Sequence, residues 1–300
     1  MLLFKKVSDL QKHLNSLRNK GLQIGFSPTM GALHRGHSSL IARSKAECNV
    51  SVASIFVNPT QFNDPKDLAK YPRTPERDIE ILTESGCDIL FMPDVSEIYP
   101  PETTPSVSEA KTTSPFNFGK LDKVLEGTFR PGHFAGMAQV VNRLLDIVKP
   151  TKLYMGQKDF QQLTIIASLI EQTKLKTELV MCATSREDDG LAMSSRNQRL
   201  SEEDRTKAPL IYNVLKNALE MVGEYSPSEI QKQAIAQLKG ESSFKLEYFE
   251  IVDGRTLLPI RLFEDTDFAV AVTAVWLGEV RLIDNIILKQ HLTQEEEDTE

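Results

Sequence analysis

Between residues 22 and 182 the chain alternates short apolar runs with longer segments of helical period. Residues 22–26, 50–57, 88–91 and 179–182 are apolar, with β-branched residues densest in 50–57, and too short for helices, so they predict strands. Three of them stop at turn-forming sequences, Ser27-Pro28, Asn58-Pro59 and Pro93. Residues 38–47, 75–84, 134–148 and 159–172 read as helices, and Pro75 suits a first helical turn. A further helix is expected at 8–18, with Ser8 as its N-cap. Strands separated by helices pair in parallel, and their crossovers cover both faces of the sheet. The first part of the chain is therefore an α/β doubly wound parallel sheet.

After Arg196 the pattern changes. Residues 202–222 and 227–238 are helical with polar faces, whereas 245–252, 268–276 and 280–288 read as strands. Helices followed by a run of strands predict a smaller C-terminal α+β domain. The boundary falls near residue 185, giving domains at 1–184 and 185–290 and an acidic tail, 291–300, expected to be disordered. Residues 100–119 are rich in Pro, Ser and Thr and read as a long loop. A chain of 300 residues suits two such domains.

Composition excludes several partners. A net charge of -7 lacks the broad basic surface that nucleic acid or an anionic membrane requires, so neither is expected as a partner. A small anion in a locally positive cleft remains compatible with that charge. Cys48, Cys87 and Cys182 sit in or beside apolar stretches without a Cys-x-x-Cys pair, so they are expected to be reduced and buried, with no structural zinc and no tightly bound protein metal site. The first ten residues are too short and polar for a signal peptide, and no apolar run approaches a membrane span. A cytoplasmic location is expected.

The chemistry concentrates in a few segments. Pro28-Thr29-Met30-Gly31-Ala32-Leu33-His34-Arg35-Gly36-His37 joins a strand to a helix, where a parallel sheet presents its ligands. His34 and His37, three apart, share a face in a helical turn. Free N–H groups of the turn and the helix dipole favour an anion there. The Gly-Lys-Ser/Thr ending of a P-loop is missing. The segment instead resembles the His-x-Gly-His signature of the nucleotidylyltransferase superfamily. Met193-Ser194-Ser195-Arg196-Asn197 resembles that superfamily's Lys-Met-Ser-Lys-Ser-type loop, with two hydroxyls beside a cation suited to phosphate.

Further segments make the resemblance specific. Residues 28–37, 54–62, 71–74, 126–134, 156–162 and 186–197 are similar, in order, to motifs of the pantothenate synthetase family. That family has a Rossmann-like sheet and a smaller C-terminal lid domain. It is typically homodimeric. It uses ATP with Mg²⁺ on the phosphates, together with pantoate and β-alanine. The resemblance places ATP against Met30, Gly31, Ala32, Leu33, His34, Arg35, Gly36 and His37, against Gly156, Gln157, Lys158 and Asp159, and against Ser185, Met193, Ser194, Ser195 and Arg196. It places pantoate and β-alanine against Pro28, Met30, Gln61, Gln162, Arg130 and His133. Where this chain has Gln157, the family more often has Glu.

Chemistry alone gives these residues fitting roles. Gln61 and Gln162 each offer donors and acceptors without burying a further charge. Lys158 is a compact cation suited to developing phosphate charge. Arg130 fits either an anion clamp or a pairing with Glu126. Asn58 and Asp78 fit either a wall of the site or a capping role. Leu163, Ile166, Ala167 and Ile170 form a helical stripe and are expected in the core. The reaction implied is adenylation of a carboxylate followed by attack of an amine, with His34, His37, Lys158, Ser194, Ser195 and Arg196 acting on the phosphates. Two other readings are a different superfamily adenylyltransferase, which would lack the Gln61 and Gln162 pair, and a non-catalytic nucleotide-binding subunit.

Overall fold

A computed structural model describes residues 1–62, 68–69, 71–100 and 115–290. The acidic tail and residues 101–114 of the expected loop lie outside the described residues.

The chain opens with β1 (Leu2–Phe4), α1 (Val7–Arg18), β2 (Ile24–Thr29), α2 (Arg35–Glu47) and β3 (Val50–Ile55). It continues through α3 (Pro75–Glu84), β4 (Ile89–Phe91) and α4 (Val95–Ile98). Then come α5 (Glu126–Phe129), α6 (His133–Val148), β5 (Lys152–Gly156), α7 (Phe160–Thr173) and β6 (Glu178–Cys182). Strands β1 to β6 form one parallel sheet in the order β1-β4-β3-β2-β5-β6. From β2 the chain winds outward through β3 and β4, then returns to place β5 and β6 on the other side of β2. The order therefore reverses between β2 and β5, and the carboxyl ends of those two strands flank the reversal.

Residue alternation explains why both faces are filled. Ile24, Phe26, Val50, Val52, Ile89, Phe91 and Leu153 join the large cluster that includes α1, α6 and α7. Their neighbours Ala53, Leu90 and Tyr154 join two smaller clusters with α2 and α3. The α2 face carries small residues because the helix lies close. A Cβ on Gly25 would sit 2.2 Å from Ser44 Oγ.

The remaining elements are α8 (Glu202–Lys207), α9 (Leu210–Glu220), α10 (Pro227–Gly240), β7 (Phe244–Asp253), β8 (Phe268–Leu277) and β9 (Val280–Gln290). The last three form an antiparallel sheet, β7-β8-β9. Ile211, Val214, Leu215 and Ala218 form one apolar stripe, and they share a core with Ile230, Ala234 and Leu238 and with Phe249, Ile251, Ala271 and Val275. Two compact units result. Met1–Gln157 and Gln161–Ser185 form the first, and Lys158–Phe160 with the described residues from 186 to 290 form the second.

Several expectations need correction. Ser8 is not an N-cap. Helix α1 begins at Val7 after Lys6, without a side-chain cap, and Glu97 Oε2 accepts the Val7 N–H at 2.9 Å instead. The helix expected at 202–222 is two helices, because Pro209 has no N–H to continue the first. Strands β1 and β5 were not anticipated. At three and five residues, they carry little periodicity. Ala167 is exposed, whereas Ile165 and Leu169 complete the buried stripe with Leu163 and Ile166. All three cysteines are buried and unpaired. Among the described residues no helix is long and apolar enough to cross a membrane.

Candidate active site

The turn after β2 is fixed from within. Gly31 (φ 82°) and Ala32 (φ 52°) take left-handed conformations, which tilt successive N–H groups to one side. Such a concavity binds an anion, and here the anion is the chain's own carboxylate. Asp78 of α3 accepts the Ala32 N–H at 3.0 Å and the Leu33 N–H at 2.8 Å. Thr74 adds its hydroxyl to the same carboxylate at 3.1 Å. Asp78 is only 1% exposed, and a Cβ on Gly31 would meet its Oδ2 at 3.0 Å.

The histidines continue that pattern. His34 is the N-cap of α2, and its Nδ1 accepts the Gly36 N–H at 3.1 Å. His37 Nδ1 accepts the His34 N–H at 3.3 Å, closing a reciprocal capping box. The rings lie 4.2 Å apart between centroids, tilted by 51°. A ring nitrogen that accepts a main-chain N–H carries no proton, so this pattern assigns the neutral proton of both rings to Nε2. The expectation of free turn amides is therefore corrected. The N–H groups of Gly31, Ala32, Leu33, His34, Gly36 and His37 all have acceptors inside the chain. Of that expectation, the positive end of the α2 dipole remains.

Other predicted residues gather in the first unit. Pro28, the penultimate residue of β2, is half-buried, as is Met30, while Arg35 is exposed. Ser185 Oγ lies 3.1 Å from Ser39 Oγ, and its Cβ is 3.6 Å from where a Cβ on Gly36 would stand. Gln61 follows β3 in a short 3-10 turn capped by Asn58, whose Oδ1 accepts from Thr60 N–H and Tyr99 O–H. Gln61 is 8% exposed, and among the described residues its side-chain amide has no hydrogen bond. His133, 5% exposed, places Nδ1 3.0 Å from the Gln61 carbonyl. Arg130 is half-buried at the end of α5, where its N–H reaches the Glu126 carbonyl.

Gln161 and Gln162 differ. Gln161 is buried, accepts the Glu126 N–H at 2.9 Å and donates to the Leu121 and Val124 carbonyls. Half-buried Gln162 has no side-chain hydrogen bond among the described residues. Both sit in the first turns of α7, beyond β5 at the strand-order reversal.

Apart from Gly156 and Gln157, the other predicted groups belong to the second unit. Gly156 ends β5 in the first unit, and Gln157, Lys158 and Asp159 form a 3-10 turn. Lys158 is half-buried, with Nζ 3.9 Å from Asp159 Oδ1. Ser194 caps the turn Ser195–Arg199, its Oγ accepting the Arg196 N–H at 3.2 Å. Met193 is buried, and Ser194, Ser195 and Arg196 are half-buried. Upstream, Arg186 forms a two-pronged ion pair with Asp284 at 2.6 and 3.1 Å and lies 3.7 Å over the Tyr212 ring. Burial pushes the Asp284 carboxyl above the usual range despite Arg186. The sequence reading missed Asp284 and Asn285. Their signal was two adjacent polar residues flanked by apolar pairs, Leu282-Ile283 and Ile286-Ile287, in mid-strand, and such residues must find partners when buried.

Comparison with known proteins identifies the family. The sequence profile of the family described as pantoate-beta-alanine ligase matches residues 2–287. A pantothenate synthetase of Phocaeicola vulgatus is 48% identical over 290 residues, covering 96% of this chain and 100% of that protein. The crystal structure of pantothenate synthetase from Thermus thermophilus superimposes with a TM-score of 0.87 at 39% identity, covering 96% of this chain and 100% of that one. A pantoate-beta-alanine ligase from Francisella tularensis, complexed with β,γ-ATP and β-alanine, does so with a TM-score of 0.76 at 35% identity, covering 96% and 98%. With nearly every residue inside the matching profile, the chain belongs to the pantoate–β-alanine ligase family.

Proposed function

We propose that the chain condenses pantoate with β-alanine, consuming ATP and releasing AMP and pyrophosphate, through a pantoyl-adenylate. A carboxylate reacts poorly with an amine because oxide is a poor leaving group. In the first step a pantoate carboxylate oxygen attacks the α-phosphorus, and the bond to the β-phosphate oxygen breaks. In the second, the neutral amine of β-alanine attacks the acyl carbon, its proton is lost, and AMP departs with the electron pair. No protein nucleophile takes part. The residues bind, orient and stabilise charge.

The observation that carries the mechanism is the reciprocal capping of His34 and His37. With each Nδ1 accepting a main-chain N–H, the proton of each neutral ring sits on Nε2, at the positive end of α2. In this reading the two rings act on the phosphates with Lys158, the hydroxyls of Ser194 and Ser195, and Arg196. Mg²⁺ accompanies the nucleotide as part of the substrate. The main chain of Gly31–His37, Gly156–Asp159, Ser185 and Met193 frames ATP. Gln61 and Gln162 hold pantoate, Gln61 also reaches β-alanine, and Pro28, Met30, Arg130 and His133 complete that wall. The two units are taken as a nucleotide- and pantoate-binding domain and a lid domain. A homodimer in the cytoplasm belongs to the same reading on family grounds.

Exchange of labelled pyrophosphate into ATP tests it. Exchange should require pantoate and proceed without β-alanine. A strict requirement for β-alanine argues against a separate adenylate step, and ADP as product removes the mechanism.

A further inference from the structure

Lys158, Asp159 and Phe160 belong to the second unit, although residues 157 and 161 on either side belong to the first. Two contacts within the second unit hold these three residues. The Phe160 ring meets Phe268 edge-on, with centroids 5.7 Å apart. The Asn285 side-chain amide donates to the Lys158 carbonyl at 2.9 Å, across 127 residues of sequence.

Asn285 is itself fixed. It is 2% exposed, and its N–H donates to Asp284 Oδ1 at 2.8 Å. The same carboxylate takes both prongs of Arg186, which also donates to the Gly190 carbonyl at 3.1 Å. Arg186 bridges Ala192 as an antiparallel pair, and the Glu187 N–H reaches the Leu191 carbonyl at 2.8 Å. That hairpin leads directly into Met193 and the Ser194–Arg196 turn. One chain of contacts, buried at Asp284 and Asn285, thus runs from the main chain of Lys158, through Asn285, Asp284 and Arg186, to the segment bearing the two serines and Arg196.

We infer that Asn285 is a positioning residue for Lys158: its main chain is held by the Arg186–Asp284 pair, and its side-chain amide sets the Lys158 main chain on the same frame as Ser194–Arg196, so that all the phosphate-directed groups of this unit keep one geometry. A flexible lysine needs a fixed root to place its charge repeatedly. Asn285 touches no reacting atom and acts only through Lys158. The inference rests on the proposed adenylation.

A double-mutant cycle tests it in the full chain. Single-turnover adenylation is measured for wild type, Asn285→Ala, Lys158→Ala and the double variant, together with the second half-reaction from supplied pantoyl-adenylate. Misplacement of a charge by about an ångström costs on the order of 10²-fold, so Asn285→Ala should slow adenylation by about 10- to 100-fold. The second half-reaction should change by less than about threefold if the fault is confined to phosphate chemistry. The double variant should be no slower than Lys158→Ala, because Asn285 has nothing left to position. Asn285→Ser, which keeps a shorter donor, should recover part of the rate. It also serves as the test variant should Asn285→Ala fail to melt cooperatively. Adenylation within twofold of wild type in both Asn285 variants overturns the inference. So do losses that multiply with Lys158→Ala, or equal slowing of both half-reactions. A wild-type chain without pantoate-dependent exchange would instead remove the functional reading beneath it.

Discussion

The turn Gly31–His37 and the segment Arg186–Arg196 carry similar proposed chemistry but are held differently. The first is largely made locally. His34 and His37 cap each other across three residues, and Asp78, from the next helix, fills the amide concavity. The second depends on partners far along the chain, with Asp284 and Asn285 lying 98 and 99 residues from Arg186. A local device survives rearrangement elsewhere in the molecule. A long-range one exists only when its whole unit is folded.

Breaking the long-range device should have the largest effect. Removing one partner of a buried ion pair typically costs about 3–5 kcal/mol, so Arg186→Met should lower the denaturation midpoint sharply. Arg186→Met with Asp284→Leu should recover most of that loss, because the uncompensated charge is gone. The effect has a pH sign. Burial raises the Asp284 carboxyl in the folded chain, so its contribution to stability is fully present below its unfolded value and is lost as pH rises through the folded one. Without Arg186 the folded value rises further, and the Arg186→Met penalty should shrink as pH falls. Urea melts across the acid range check this. A penalty independent of pH would show that Asp284 is not the charge left behind.

Asp78→Ala tests the local device and should cost less. The buried Leu33 amide loses its acceptor, at about 1–3 kcal/mol, whereas the half-buried Ala32 amide can turn to water. The melt should fall modestly, while adenylation falls with it because His34 loses its fixed approach. Full adenylation in a chain destabilised to that extent would mean that the histidine caps alone set the turn.

These two devices also mark what the sequence disclosed. The parallel sheet was legible because its strands are short apolar runs between helical periods. The His34–His37 turn was legible because its histidine caps join residues close in sequence. Its donors were misjudged, because only the fold shows that the carboxylate from Asp78 already occupies the amides. Strands β1 and β5 were hidden by their shortness, and Asn285 by a partner 127 residues away. Pro209 broke a helix that polar periodicity made continuous.

Two neighbouring glutamines sharpen the comparison at smaller scale. Gln161 is committed to three main-chain groups and should act as structure. Gln161→Ala should lower stability by about 1–3 kcal/mol with little specific effect on pantoate. Gln162→Ala should leave the melt within about 0.5 kcal/mol and raise the pantoate KM by roughly 5- to 150-fold, with ATP binding little changed. Equal behaviour of the two variants would show that the hydrogen-bond difference between them carries no functional meaning.

The central claim is that imidazole N–H groups, rather than turn amides, meet the charge that develops on the phosphates. Single-turnover rates of the two half-reactions in His37→Ala, with melting curves alongside, test it most directly. Loss of a donor that acts only on the transition state costs about 10²–10³-fold. Adenylate formation should slow by that order, while aminolysis of supplied pantoyl-adenylate changes far less and the melt shifts only by a lost cap, about 1 kcal/mol. Equal slowing of both half-reactions with a collapsed melt would contradict the claim and make His37 a packing residue.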